Sequence, residues 1–69
     1  MITGKITKII QKDGYGFIRT PELPRDVFLH AKNCVLGTIF DSLMEGQEVA
    51  FDVKETPKGF VAVGVTLNL

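Results

Sequence analysis

Sixty-nine residues, 45% of them hydrophobic, allow one domain built on one modest core. Eight basic residues balance eight acidic ones, so the net charge is zero and gives no polyanion-binding footprint by itself. The single cysteine, Cys34, excludes an intramolecular disulfide and a cysteine-based zinc cluster, and the single histidine, His30, excludes a histidine-rich metal site. No apolar run approaches the roughly 20 residues of a membrane span. The N-terminus lacks the basic segment and apolar stretch of a signal peptide. The expectation is therefore a cytoplasmic protein with a reduced thiol, nothing to cleave, no membrane contact and no cofactor.

The charges are unevenly placed. Residues 1–34 carry six basic and three acidic side chains, a net of +3, and residues 35–69 carry two basic and five acidic ones, a net of −3. A domain polarised in this way can offer one face to phosphate and repel it elsewhere. Chance scatter in a short chain would look the same.

Five strands are predicted in chain order. The first covers Ile2 to Ile10, rich in Ile and Thr. Lys12-Asp13-Gly14 is a turn, since Asp-Gly tolerates positive φ. The second strand covers Tyr15 to Thr20 and ends at Pro21-Glu22-Leu23-Pro24; the third covers Asp26 to Ala31. Lys32 to Glu45 has no clean period and reads as a long connection with one helical turn. The fourth strand covers Gln47 to Glu55, with Val49, Phe51 and Val53 facing the core and Glu48, Asp52 and Lys54 facing water. After the turn Thr56-Pro57-Lys58-Gly59, the fifth covers Phe60 to Leu67, with Val61, Val63, Val65 and Leu67 on one face. Short strands separated by turns predict a small closed barrel, which leaves no exposed edge.

The second and third strands are apolar on both faces. Tyr15, Phe17 and Arg19 share one face of the second strand, and Gly16, Ile18 and Thr20 the other. Phe28 and His30 share one face of the third, and Val27, Leu29 and Ala31 the other. A small barrel has one interior. If Ile18, Val27 and Leu29 fill it, the rings face water beside basic residues and form a base-stacking platform. Gly14 and Gly16 would then keep the surface beside Tyr15 low for a flat base. The opposite arrangement, rings inside and aliphatics outside, has the same period.

The order of motifs resembles the cold-shock domain family. Gly14-Tyr15-Gly16-Phe17-Ile18 is similar to the family's first ribonucleoprotein motif and Asp26-Val27-Phe28-Leu29-His30 to its second. Gly4-Lys5-Ile6 resembles the opening Gly-Lys-Val, Leu43 to Asp52 the Leu-x-Glu-Gly-Gln-x-Val-x-Phe segment, and Lys58-Gly59 with Ala62 to Val65 the closing strand. The likeness covers essentially residues 1–69 as a single domain. It implies an all-β, five-stranded antiparallel Greek-key barrel of the oligonucleotide-binding (OB) type. It also implies binding of single-stranded RNA or DNA, with Tyr15, Phe17, Phe28 and His30 on the outward platform. His30 would stack or donate a hydrogen bond. Phe40 corresponds to a frequent rim aromatic, although a lid over the barrel end, packed with Leu36 and Ile39, would also account for it.

The chain departs from the family pattern at several positions. Where the family has Lys-Trp-Phe-Asn, this sequence has Thr7-Lys8-Ile9-Ile10, so Lys8 stands for the tryptophan and Ile9 for the phenylalanine. Asp13 replaces a lysine, Ala31 an aromatic, and Phe60 a proline. At about 1–3 kcal/mol per lost stack, binding falls by roughly two orders of magnitude or more. Lys8 and Lys12 offset part of this through phosphate contacts, while a merely solvated Lys8 is the plainer alternative. Phe60 either extends the platform or marks a protein contact. Phe51 is expected in the core and Cys34 as a small packing residue.

The expected function is low-specificity binding of single-stranded RNA or DNA by a monomer. The bases would stack on Tyr15, Phe17, Phe28, His30 and Phe40, and Lys5, Lys8, Arg19 and Lys58 would steer the backbone. An RNA chaperone that traps unpaired strands, or a regulator of transcription or translation, would follow from it. The alternative is a degenerate domain that binds a protein through Ile9, Ile10 and Phe60. An enzyme, such as a nuclease, is disfavoured: no partner base or nucleophile is evident, and Glu48 and Asp52 alternate with core positions as a solvated face does.

Overall fold

The computed structural model describes residues 1–35 and 40–68. Five strands form: β1 (Ile2–Ile10), β2 (Tyr15–Arg19), β3 (Val27–His30), β4 (Glu48–Thr56) and β5 (Gly59–Leu67). Short 3₁₀ turns lie at Gln11–Asp13, Ala31–Asn33 and Phe40–Ser42. The last two lie at the start and within the second half of the long connection, of which residues 36–39, with Leu36 and Ile39, lie outside the described residues. The strands close into a barrel in the order β1-β2-β3-β5-β4, with β4 returning beside β1. This is the Greek-key path of an OB barrel. One pairing differs from the antiparallel expectation, because β3 and β5 run parallel. Five strands cannot close into a ring with antiparallel neighbours throughout, so an odd-numbered barrel contains at least one parallel seam.

The interior is mainly aliphatic, with the rings of Phe51 and Phe40. Ile18, Val27, Leu29, Val49, Phe51, Ala62 and Val65 are fully buried, and Ile6 nearly so. Phe40 and Leu43 complete the cluster from the long connection. On β2 and β3 the burial alternates strictly, residue by residue. Phe51 takes its expected core position on β4, and Ala50 beside it is buried as well.

On β5 the outcome differs from the expected single face of Val61, Val63, Val65 and Leu67. Ala62 and Val65 point inward, while Val61 and Val63 are half-buried on the other side. The pairing with β4 explains the change: Ala50 opposes Thr66 and Asp52 opposes Val63, so β5 carries one extra residue there. Gly64 sits in this bulge with φ 61, a conformation that costs glycine little. An inserted residue reverses the inside–outside phase of a strand.

A second bulge lies in β1. Ile6 pairs with Ile18, but the next pair is Lys8 with Phe17, so β1 holds the extra residue. Ile6 points in before the bulge. Lys8 points out after it, and Ile9 turns toward the core opposite Gly16. Gly16 is buried, and a Cβ there would collide with the Lys8 carbonyl oxygen. Its role is therefore close passage of β1, not the flattening of the outer surface expected from sequence. Gly14 serves the preceding turn with φ 72.

Cys34 is half-buried and forms an isolated bridge with Val65. Burial pushes its thiol pKa up. The folded chain thus favours the neutral thiol: this contribution is complete below the unfolded pKa and is lost as pH rises through the folded value. Alkylation of native Cys34 at neutral pH is expected to run slower than that of the unfolded chain, measured by mass spectrometry after timed iodoacetamide exposure. Gly16→Ala is expected to cost about 1–3 kcal/mol by overpacking. Each kcal/mol should lower Tm by about 4–8 °C in a thermal melt. An unchanged Tm would mean that β1 does not pass so close.

Candidate nucleic-acid interface

Register partners in a sheet point to the same side, so the pairings assemble the outer face directly. One row crosses all five strands: Lys8 on β1, Phe17 on β2, Phe28 on β3, Val61 on β5 and Lys54 on β4. A second row holds Ile10, Tyr15 and His30. Lys5 and Arg19 pair further along β1 and β2. The aromatic core of this face is Tyr15, Phe17, Phe28 and His30, all half-buried, over the fully buried Ile18, Val27 and Leu29. The outward arrangement is the one adopted.

The rings support each other. Tyr15 stacks on Phe28 with centroids 5.7 Å apart and planes 24° apart. Phe17 meets Tyr15 edge-on at 6.0 Å and Phe28 at 5.9 Å. His30 lies tilted 6.2 Å from Phe28. Offset-stacked and edge-to-face contacts of this kind hold rings in place while leaving part of each in water. His30 is oriented further by its own strand end, where Nδ1 accepts a hydrogen bond from the Lys32 backbone N–H at 3.2 Å. With Nδ1 as acceptor, a neutral ring carries its proton on Nε2, which can act as a donor.

Lys8 and Lys54 bracket the aromatic row and are exposed. Arg19 Nε lies 3.2 Å from Asp26 Oδ1, an exposed pair that a phosphate can displace at little cost. The carboxylates Glu48, Asp52 and Glu55 are on β4, which pairs with neither β2 nor β3. Asp52 is also engaged by the Met1 amine at 3.3 Å.

Phe40 does not join this face. It is only 7% exposed and packs in the core cluster. Its assignment as a stacking residue is corrected to a lid residue: a ring buried among aliphatics presents no face to a base. Gln11 ties this lid to the first turn, its amide donating to the carbonyls of Phe40 and Leu43 at 3.4 Å each. Of the apolar residues Ile9, Ile10 and Phe60, Ile9 and Phe60 both pack partly against the core, and Ile10 lies in the second row beside Tyr15.

Two residues absent from the sequence-based site, Lys54 and Arg25, border the face, together with Phe60, which the sequence offered as an extension of the platform or a protein contact. Lys54 ends the aromatic row by register. Arg25 and Phe60 flank an open groove of about 540 Å³ whose walls include Phe17, Phe28, Val61 and Lys58. Lys58 thus borders the face as expected. The departure of Phe60 from the family pattern was the one available signal for this groove; Arg25 and Lys54 gave none.

The family model of the "Cold-shock" DNA-binding domain matches residues 2–68. The chain belongs to the cold-shock domain family. This cold-shock domain is 40% identical over 68 residues to cold shock-like protein CspD of Bacillus cereus, covering 99% of this chain and 100% of the relative. It is 37% identical over 65 residues to cold shock-like protein CspC of Escherichia coli (strain K12), covering 94% and 93%. Cold shock-like protein CspC of Buchnera aphidicola is 36% identical over 64 residues, covering 93% and 91%. Cold-shock domains are in general nucleic-acid-binding modules, and the aromatic face of this cold-shock domain is built on its two ribonucleoprotein-like motifs.

The burial of Phe40 makes a direct test of its role. Phe40→Ala is expected to cost about 3–5 kcal/mol of stability, read from denaturant unfolding, which approaches the whole stability of so small a chain. A variant with wild-type stability would put the ring back on the surface.

Proposed function

We propose that this cold-shock domain binds single-stranded RNA or DNA with low sequence specificity, by stacking unpaired bases on Tyr15, Phe17, Phe28 and His30. The observation that carries the reading is the row Lys8–Phe17–Phe28–Val61–Lys54, a half-exposed aromatic strip over a sealed aliphatic core with a cation at each end. Soluble domains rarely leave rings clustered in water without a partner for them. Every base has a π-face, so stacking tolerates sequence, and the lysines add backbone contacts that weaken with salt. In this reading Lys5, Arg19 and Lys58 steer phosphates around the strip.

Lys8 gives the mechanism its particular balance. The β1 bulge brings it level with Phe17 on the outer side. A cation there binds phosphate and carries no base information, whereas a ring would stack. The domain accordingly relies more on charge and less on stacking at the β1 edge. Trapping unpaired bases shifts hairpins toward their open form, which is the basis of an RNA-chaperone role. Binding of this kind involves no bond-breaking chemistry, and the domain is read as a binding module in the cytoplasm that acts as a monomer.

Titration with pyrimidine-rich oligonucleotides at low salt is expected to shift the backbone amides of β1, β2 and β3. Tyr15→Ala and Phe28→Ala should each weaken binding by about 1–3 kcal/mol. Lys8→Ala should flatten the plot of log affinity against log salt by about 0.7. Amide spectra that stay fixed at saturating oligonucleotide would overturn the reading.

A further inference from the structure

We propose that Phe60, Arg25 and Lys58 form an additional subsite at the β5 side of the aromatic face, which takes one further unpaired nucleobase together with its phosphate. The inference rests on the platform reading above and extends the platform across the β3–β5 seam.

The groove beside Phe60 is continuous with the platform, since Phe17 and Phe28 form one of its walls. Its volume of about 540 Å³ falls within the roughly 300–1,000 Å³ typical of small-ligand sites. Phe60 is half-buried and packs partly against the core, so its ring is anchored while part of it stays within reach of solvent. The Arg25 guanidinium carbon stands 5.9 Å from the centre of that ring. Flat groups in contact lie about 3.5–4 Å apart, so a base inserted between ring and guanidinium needs about 7 Å. Arg25 is exposed on the loop before β3 and has to retreat by only about that difference. The base would then lie between an aromatic ring and a planar cation, both of which favour its π-face.

Charge selects the occupant. Arg25 and Lys58 supply two cations at the groove against one carboxylate in its wall, Asp26. Glu55, the register partner of Phe60, does not line it. This balance fits a polyanion better than an apolar peptide. The turn that carries Lys58 is also braced in advance. Thr56 Oγ1 donates to the Gly59 carbonyl at 2.8 Å and accepts from the Lys58 N–H at 3.2 Å. A braced turn loses little freedom when a ligand arrives.

The test uses the full chain and a length series of oligothymidylates. The chain has no tryptophan, so Phe60→Trp places a single indole in the groove. Its fluorescence is expected to be quenched by long oligomers but not by the shortest ones that still bind the platform. Phe60→Ala should weaken the long oligomers by about 5- to 150-fold and leave the shortest unchanged. Arg25→Ala, a change at an exposed loop residue, should show the same length dependence in smaller degree. If the wild type binds but none of the three variants shows length dependence, the subsite is overturned and the platform stands. A Phe60→Ala defect confined to self-association also overturns it and assigns the ring to a protein contact. Failure of the wild type to bind at any length overturns the platform and the subsite together.

Discussion

A barrel this small has room for one set of side chains, and that limit decides everything on its outside. Ile6, Ile18, Val27, Leu29, Val49, Phe51, Ala62 and Val65 occupy the interior with essentially no exposure. Once those positions are filled, alternation along β2 and β3 leaves Tyr15, Phe17, Phe28 and His30 no inward choice. The aromatic face is thus a by-product of core packing in mechanical terms. A change that opened space inside, in the manner of a deleted Ile18 side chain, would act on the binding face as well as on stability.

The same limit explains what could be read from the sequence. Alternation and motif order were enough for the strands, the barrel and the direction of the rings, because both are local along β2 and β3. The phase of β5 was not legible. Val61, Val63, Val65 and Leu67 alternate cleanly, and the extra residue near Gly64 that breaks their phase is visible only when β5 is laid against β4. Lys54 was missed for a related reason: its neighbour Val61 is a partner across two strands, and Val61 in turn meets Phe28 in a parallel pairing. Phe40 could be read either way, since an aromatic in a connection has no period to show which side it faces.

The β1 bulge lies where the sequence departs from the family pattern at Lys8 and Ile9. Without an extra residue between Ile6 and Phe17's partner, Lys8 would fall in the inward phase that Ile6 occupies. A lysine there would be buried without a counter-charge, at a cost of several kcal/mol. The bulge removes that conflict and sends Ile9 to the core in its place. Gly16 provides the clearance that lets the bulged strand run so close to β2. Three residues on two strands therefore form one unit, and the identity of the side chain at position 8 is tied to a backbone irregularity and a missing Cβ.

The parallel seam has a thermodynamic consequence. Between β3 and β5 the register comes down to the pair Phe28–Val61, supplemented by the Cys34–Val65 bridge. Breathing of the barrel is cheapest where the ladder is thinnest. A nucleic-acid strand draped from Phe28 toward Phe60 would suture that line from outside. Occupancy and cohesion of the fold would then be linked by mass action, with the bound polymer acting as a removable sixth stave.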